Sequence, residues 1–284
     1  MLKKALIIGA NGTLGQSLVK TFEKRGYEIL GWDKDDCDVS EDSEMDKIVT
    51  ANPDVVINAT AYNLVDKAET EPLEREKAFA LNAVAPGRLA NTAARIGAVF
   101  IHYSTNYVFS GDNPAGYSED AYVSPINSYG ESKAEGEKSV QKVGGKYYLI
   151  RLSRLFGDRG TSASSKRTFV EIMLAELDKQ TLEVGNVEKS ALTYAPDLAE
   201  LTVDLVSAGR PYGIYHGANA GGCTWAQWAA EIFRLLGRGP EVIPVDHPPV
   251  RQLAKHPVNA VLLNTKLPPS RTWQQALAEY LKGR

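Results

Sequence analysis

Short apolar runs alternating with amphipathic stretches predict an α/β chain whose first half is a doubly wound parallel sheet with helices on both faces. Two further observations point the same way. A glycine-rich turn follows the first apolar run directly, and the runs are almost uninterrupted, as strands buried on both faces require. After Gly157 the pattern changes, which predicts a smaller C-terminal region beside the sheet.

The strands are predicted at Ala5–Ile8, Glu28–Trp32, Val55–Asn58, Val99–Tyr103 and Tyr147–Leu152. Between them helices are predicted near Gly12–Lys24, Ser43–Ala51, Glu74–Ile96 and Pro125–Val143, the last with Pro125 near its first turn, where an amide N–H is dispensable. Right-handed crossovers between such strands put ligands at the strands' carboxyl ends. Asp158 to Arg167 lacks periodicity and reads as a mobile loop or lid. Helices follow near Thr168–Leu177, Pro196–Ala208, Thr224–Leu236 and Thr272–Leu281, with a strand at Gly213–His216. From Gly239 to Pro269 the chain is rich in proline and short of regular pattern.

Composition narrows the function classes. At 284 residues the chain suits one large domain or two smaller ones, and a net charge of -3 gives no bulk attraction to nucleic acid or an acidic membrane. The apolar run after Met1-Leu2-Lys3-Lys4 is too short for a signal peptide, and no window approaches the roughly 18 apolar residues of a membrane helix. A soluble, cytoplasmic protein is expected. Cys37 and Cys223 provide neither a disulfide framework nor metal spacing, and His102, His216, His247 and His256 show no ligand spacing, so no metal is assigned.

The run Ala5-Leu6-Ile7-Ile8-Gly9-Ala10-Asn11-Gly12-Thr13-Leu14-Gly15 places three glycines between a strand and a helix start. Gly9 permits a tight turn, Gly12 lets the backbone approach a pyrophosphate, and Gly15 lets helix and strand pack closely. This is the Rossmann-type arrangement for a dinucleotide, although the spacing is G-x-x-G-x-x-G instead of G-x-G-x-x-G. Asp33, about 20 residues on, suits the ribose hydroxyls of NAD, while Lys34 beside it suits a 2'-phosphate, so NADH and NADPH both remain open. Asp38 and Val39 fit contacts to an adenine ring. They fit a solvated acidic loop equally well.

Tyr129 and Lys133 stand four apart on a predicted helix. Reduction of a ketone builds negative charge on its oxygen and calls for a proton donor, and a phenol, with a reference pKa near 10, needs a cation beside it to serve near neutrality. Lys133 on the same helical face is placed to be that cation. An ordinary surface Tyr-Lys pair has the same spacing. Thr105, closing the strand that carries Ser104, could donate to the same ketone or simply punctuate the strand. Gly130 and Gly136 inside the helix imply that something packs close to its backbone. Asn82 suits either a helix residue that disturbs its backbone and holds a water near Lys133, or a buried structural amide.

Together these residues resemble the short-chain dehydrogenase/reductase superfamily. A closer resemblance, to the dTDP-4-dehydrorhamnose reductase family, is carried by Pro53 to Tyr62, Val65 to Pro72, Ile101 to Phe109, Tyr194 to Ala199, Gly213 to His216 and Leu263 to Leu267 before Trp273. It implies NAD(P)H-dependent reduction of the 4-keto group of a nucleotide-linked 6-deoxysugar, with Tyr129 as proton donor, Lys133 as its modulator and ribose ligand, and Thr105 binding the carbonyl. By position it also implies a dinucleotide turn at Gly9, Gly12, Thr13 and Leu14, adenosine contacts at Asp33, Asp38 and Val39, a nicotinamide stretch at Ala61, Tyr62 and Asn63, and a sugar-pocket residue at Val65. A dinucleotide-binding domain would span 1–156 with 192–216 returning to it, and 157–191 with 217–284 would bind substrate. A homodimer is compatible with the resemblance.

Three departures fall on the substrate side. The family's Ser-Thr-Asp is Ser104-Thr105-Asn106 here, its Arg-Thr-Ser-Trp is Arg151-Leu152-Ser153-Arg154, and its Asp-Gln-x-Gly-x-Pro-Thr stretch is Val187 to Thr193. Asn106 and Arg154 are therefore expected to touch the substrate, with Arg154 pairing either a different sugar's acidic group or a structural carboxylate. The substrate is accordingly either the family's sugar or another 4-keto nucleotide sugar. The resemblance extends to the regulatory beta subunit of methionine adenosyltransferase, so a non-catalytic NAD(P)-binding subunit is the alternative from another class.

Overall fold

The computed structural model describes residues 3–162, 165–247 and 253–284. Six parallel strands form the central sheet: β1 (Lys4–Ile8), β2 (Glu28–Trp32), β3 (Val55–Asn58), β4 (Val99–Thr105), β5 (Tyr147–Leu152) and the strand Gly213–His216. From one edge the order is β2-β1-β3-β4-β5 and then Gly213–His216. The order reverses between β1 and β3, which opens a crevice at their carboxyl ends.

Alternation along each strand builds two cores. Ala5 and Ile7 face Leu14, Leu18 and Phe22 of α1 (Thr13–Lys24) and the helix Ala195–Ser207. Leu6 and Ile8 face the other way, toward Met45 and Ile48 of α2 (Met45–Ala51) and a helix carrying Leu89 and Ala93. The doubly wound sheet is therefore as the apolar runs predicted. No helix of the described residues is long and apolar enough to cross a membrane.

The helix predicted over Glu74–Ile96 is three pieces. After α3 (Val65–Thr70) come α4 (Pro72–Phe79), a π turn at Ala80–Val84, and α5 (Ala85–Arg95). Pro86 supplies the reason, since it has no N–H to give the carbonyl four residues earlier, which belongs to Asn82. The helix α6 (Ser128–Val143) starts later than Pro125 because the Asn127 side chain caps it, accepting from the Gly130 N–H at 2.8 Å.

A third core lies outside the sheet, with Phe156, Val170, Trp228, Trp273 and Tyr280 among its buried residues. Its helices Phe169–Leu174, Trp225–Leu236 and Trp273–Leu281 each open on a reciprocal capping box, at Thr168 with Glu171, Thr224 with Gln227 and Thr272 with Gln275. The proline-rich stretch is more ordered than its composition predicts. Glu241–Val245 is a strand, paired in parallel with Thr181–Gly185.

Candidate active site

The glycine turn is built to keep side chains out. Gly9 has φ +87°, and a Cβ there would press on the backbone of Ala59 and Thr60 just beyond β3, at the point where the strand order reverses. A Cβ on Gly15 would collide with the Gly9 carbonyl oxygen. Asp33, immediately after β2, accepts from the Asn11 N–H at 2.9 Å and so ties the turn to the next strand. Val39 is buried in the sheet's second core, and Asp38 accepts from Ser40 and pairs with Lys34 at 3.4 Å. Thr13 and Leu14 open α1, and the Asn11–Asp33 bond joins the turn after β1 to the end of β2.

The segment after Gly157 lies on this turn. Gly160 N–H donates to the Thr13 hydroxyl at 3.2 Å, Ser162 N–H donates to the Asn11 carbonyl at 3.2 Å, and Gln16 reaches Thr161 at 3.1 Å. Residues 163 and 164 of the predicted lid lie outside the described residues.

Tyr62 is fixed by Asn82. The amide oxygen of Asn82 accepts from the Tyr62 N–H at 3.0 Å, and its nitrogen donates to the Tyr62 carbonyl and to Ser132, each at 3.0 Å. The buried amide is thus committed to Tyr62 and Ser132 and clamps the Tyr62 backbone. Ala61 and Asn63 on either side are exposed, and Val65 begins α3.

Tyr129, Lys133 and Thr105 come together where β4 ends against α6. Two glycines allow the approach: a Cβ on Gly130 would strike the Tyr107 carbonyl, and one on Gly136 the Asn82 carbonyl freed at the π turn. Glu137 then anchors the helix through a buried bidentate pair with Arg151 of β5, at 2.7 and 2.8 Å. Burial raises the pKa of the Tyr129 phenol, and a hydrogen bond with the Thr105 hydroxyl pulls it back down.

Lys133 reaches the sheet. Its ammonium, on a side chain only 2% exposed, donates to the Tyr103 carbonyl at 2.7 Å and lies 3.5 Å from His102 Nε2. Burial brings its pKa down to about 8, against a smaller opposing pull from Glu137. Thr105 is thus one group that favours the phenolate, and Lys133 stands one helical turn along α6 from the phenol.

The two substrate-side departures are tied into the protein. Asn106 is buried, donating to Ser190 Oγ at 3.1 Å and to the Ala260 carbonyl at 3.3 Å, while its oxygen accepts from Thr105 at 3.3 Å. Arg154 donates to the carbonyls of Cys223 and Glu188 at 2.9 and 3.0 Å and stacks over Trp225 at 3.9 Å. Asn106 and Arg154, both expected to touch substrate, thus direct these polar atoms to protein partners, and Glu188 is the structural carboxylate beside Arg154 at 3.9 Å. Nearby, His256 Nδ1 lies 3.2 Å from Glu188 and 3.1 Å from the Tyr107 hydroxyl, and Tyr107 packs edge-on against Tyr129. A separate 400 Å³ cavity, lined by Asp197, His216 and Arg271 among others, includes none of the predicted site residues.

A dinucleotide turn at the crevice of a parallel sheet, with a Thr-Tyr-Lys set at the end of β4, defines a nicotinamide-dependent reductase of the Rossmann type. The family model described as "RmlD substrate binding domain" matches residues 3–284. The chain belongs to that family. It is 35% identical over 288 residues to dTDP-4-dehydrorhamnose reductase of Mycolicibacterium smegmatis, covering 98% of this chain and 85% of that one. It is 32% identical to the spore coat polysaccharide biosynthesis protein SpsK of Bacillus subtilis, covering 100% and 98%. The structure of dTDP-4-dehydrorhamnose reductase from Bacillus anthracis in complex with NADP superposes with a TM-score of 0.92 at 30% identity, covering all of both chains.

Proposed function

We propose that the chain is an NAD(P)H-dependent oxidoreductase that reduces the 4-keto group of a nucleotide-linked 6-deoxysugar, converting dTDP-4-dehydro-L-rhamnose to dTDP-L-rhamnose. The observation that carries the reading is the Thr105–Tyr129 hydroxyl pair at the carboxyl end of β4 in a chain of this family. Gly9, Gly12, Thr13, Leu14, Asp33, Asp38 and Val39 would hold the adenosine and pyrophosphate half, and Ala61, Tyr62 and Asn63 the nicotinamide half. The glycine cradle fits this assignment, since side chains at Gly9 and Gly15 would fill it.

The bound cofactor supplies the hydride and, once oxidised, a positive charge that favours phenolate. The remaining work belongs to the chain. Thr105 gives its one hydroxyl hydrogen to the substrate oxygen, Tyr129 gives that oxygen its proton, and Lys133 in its ammonium form adds positive charge to the pocket floor. Residues 1–156 with 192–216 form the cofactor unit in this reading, and 157–191 with 217–284, Val65 included at the border, the sugar unit. A cytoplasmic homodimer belongs to the same proposal.

The test is direct. Incubation with NADPH or NADH and dTDP-4-dehydro-L-rhamnose should consume cofactor and yield the 4-hydroxy sugar. No loss of absorbance at the nicotinamide band across a panel of 4-keto nucleotide sugars would sink the proposal, and product without net cofactor consumption would point to an epimerase.

A further inference from the structure

Beneath Lys133 runs a buried polar chain that the reduction, as described, does not use. Asn58 ends β3 and His102 lies beside it in register on β4, both with no exposed surface. The Asn58 oxygen accepts from the N–H of Thr60 at 3.1 Å and from its hydroxyl at 2.7 Å. A backbone N–H can only donate, which fixes the orientation of the Asn58 amide. Its nitrogen therefore faces His102 Nδ1, at 3.2 Å, as a donor. Nδ1 must accept, and the neutral ring carries its hydrogen on Nε2. That hydrogen points to Lys133 Nζ, 3.5 Å away. The ring lies parallel to Phe100 with centroids 6.3 Å apart, and a flip would break the Asn58 bond.

We propose that His102, locked in its Nε2–H tautomer by Asn58, is a positioning residue that acts through Lys133, steering the amine onto the Tyr103 carbonyl and favouring its uncharged form. The inference rests on the reductase reading for its kinetic consequence alone. An ammonium on Lys133 sets N–H against N–H across the 3.5 Å gap, whereas a neutral amine offers a lone pair to the imidazole. The charged groups around the pair are few. Lys133 is opposed on its own helix by Glu137, itself bound to Arg151 of β5; His102 faces Lys133 and, from β3, the uncharged Asn58. Burial lowers the pKa of both His102 and Lys133, which agrees with a neutral ring. Because Thr60 and Ala59 also wall the Gly9 turn, the chain links the cofactor cradle to the lysine.

Two measurements on the full chain test this. Imidazole 15N resonances, with His102 assigned by its loss in His102→Gln, should show an Nε2–H neutral ring unchanged from pH 6 to 9, a range chosen around the roughly neutral reference pKa. An Nδ1–H ring, or one that titrates in that range, overturns the proposal without reference to turnover. In the reductase assay, His102→Phe should move the basic limb of the kcat profile up by roughly one pH unit, and His102→Gln, which keeps an N–H donor, should hold it near wild type. A limb unmoved in His102→Phe would reduce His102 to core filling. A wild-type protein without turnover would reject the reductase reading and leave the resonances to decide the tautomer.

Discussion

Lys133 Nζ donates to the Tyr103 carbonyl at 2.7 Å, so the lysine one turn along the helix from Tyr129 is held by the strand that ends at Thr105. The hydroxyl of Thr105 lies beside the phenol and favours its ionised form. Acid and cation, both on α6, thus meet different positions of β4, Thr105 and Tyr103, and their effects can be separated by mutation.

Tyr129→Phe should remove most turnover, by roughly 10²-fold or more as expected for loss of a general acid, while NADPH affinity by fluorescence titration stays within a few fold. Near-wild-type turnover would rule out Tyr129 as donor. Thr105→Val should lower kcat through both the substrate oxygen and the phenol, and Thr105→Ser should recover most of it.

The buried lysine predicts a stability signature. Its folded pKa of about 8 lies below the unfolded value of 10.5, so in that window the unfolded chain binds more protons and folding stability contributed by this group rises with pH. The whole increment is on the order of 3 kcal/mol, present above the unfolded value and lost as pH falls through 8. Chemical denaturation across this pH window should show the increment in wild type and its absence in Lys133→Met.

Gly15→Ala should abolish cofactor binding and destabilise the fold, because the added methyl meets the Gly9 carbonyl, which is backbone and cannot swing aside. Isothermal titration with NADPH and a melting curve would show both losses. Asp33→Ala should weaken NADH by about tenfold or more, the loss of charge-assisted hydrogen bonds, and NADPH by less.

Arg154→Met should cost stability and leave sugar KM within a few fold. The loss of two donors to buried carbonyls amounts to roughly 2–4 kcal/mol, and Arg154 also holds a left-handed backbone, φ +43°, that these contacts stabilise. A tenfold rise in KM for the nucleotide sugar with unchanged melting would return Arg154 to the substrate.

The residues that sequence placed well are those whose neighbours are local. Strand alternation, the glycine turn and the threonines at 168, 224 and 272 act over a few positions, and each stands where its pattern predicted. What was missed is set by distant partners. Thr181–Gly185 and Glu241–Val245 pair with each other far from the main sheet and are half-exposed, with Pro244 interrupting the pattern. Asn106 finds Ser190 and Ala260, and Lys133 finds a carbonyl thirty residues earlier, none of which spacing reveals. One signal was available: Pro86 four residues beyond Asn82 marks the helix break. Another was the pair Asn58 and His102, polar side chains within otherwise apolar strands.

The π turn at Ala80–Val84 also limits how this chain can change in length. A π turn holds one residue more than an α turn, so it is an insertion frozen into the helix. Deleting one residue there would restore regular helix and leave the faces of α4 and α5 near their present directions, but the widened turn that places Asn82 would be gone. Asn82 would lose Tyr62 and Ser132, and its carbonyl would leave the notch at Gly136. Substitutions along α4 and α5 can be absorbed one side chain at a time; a single-residue deletion between them would dismantle the floor of the active site at once.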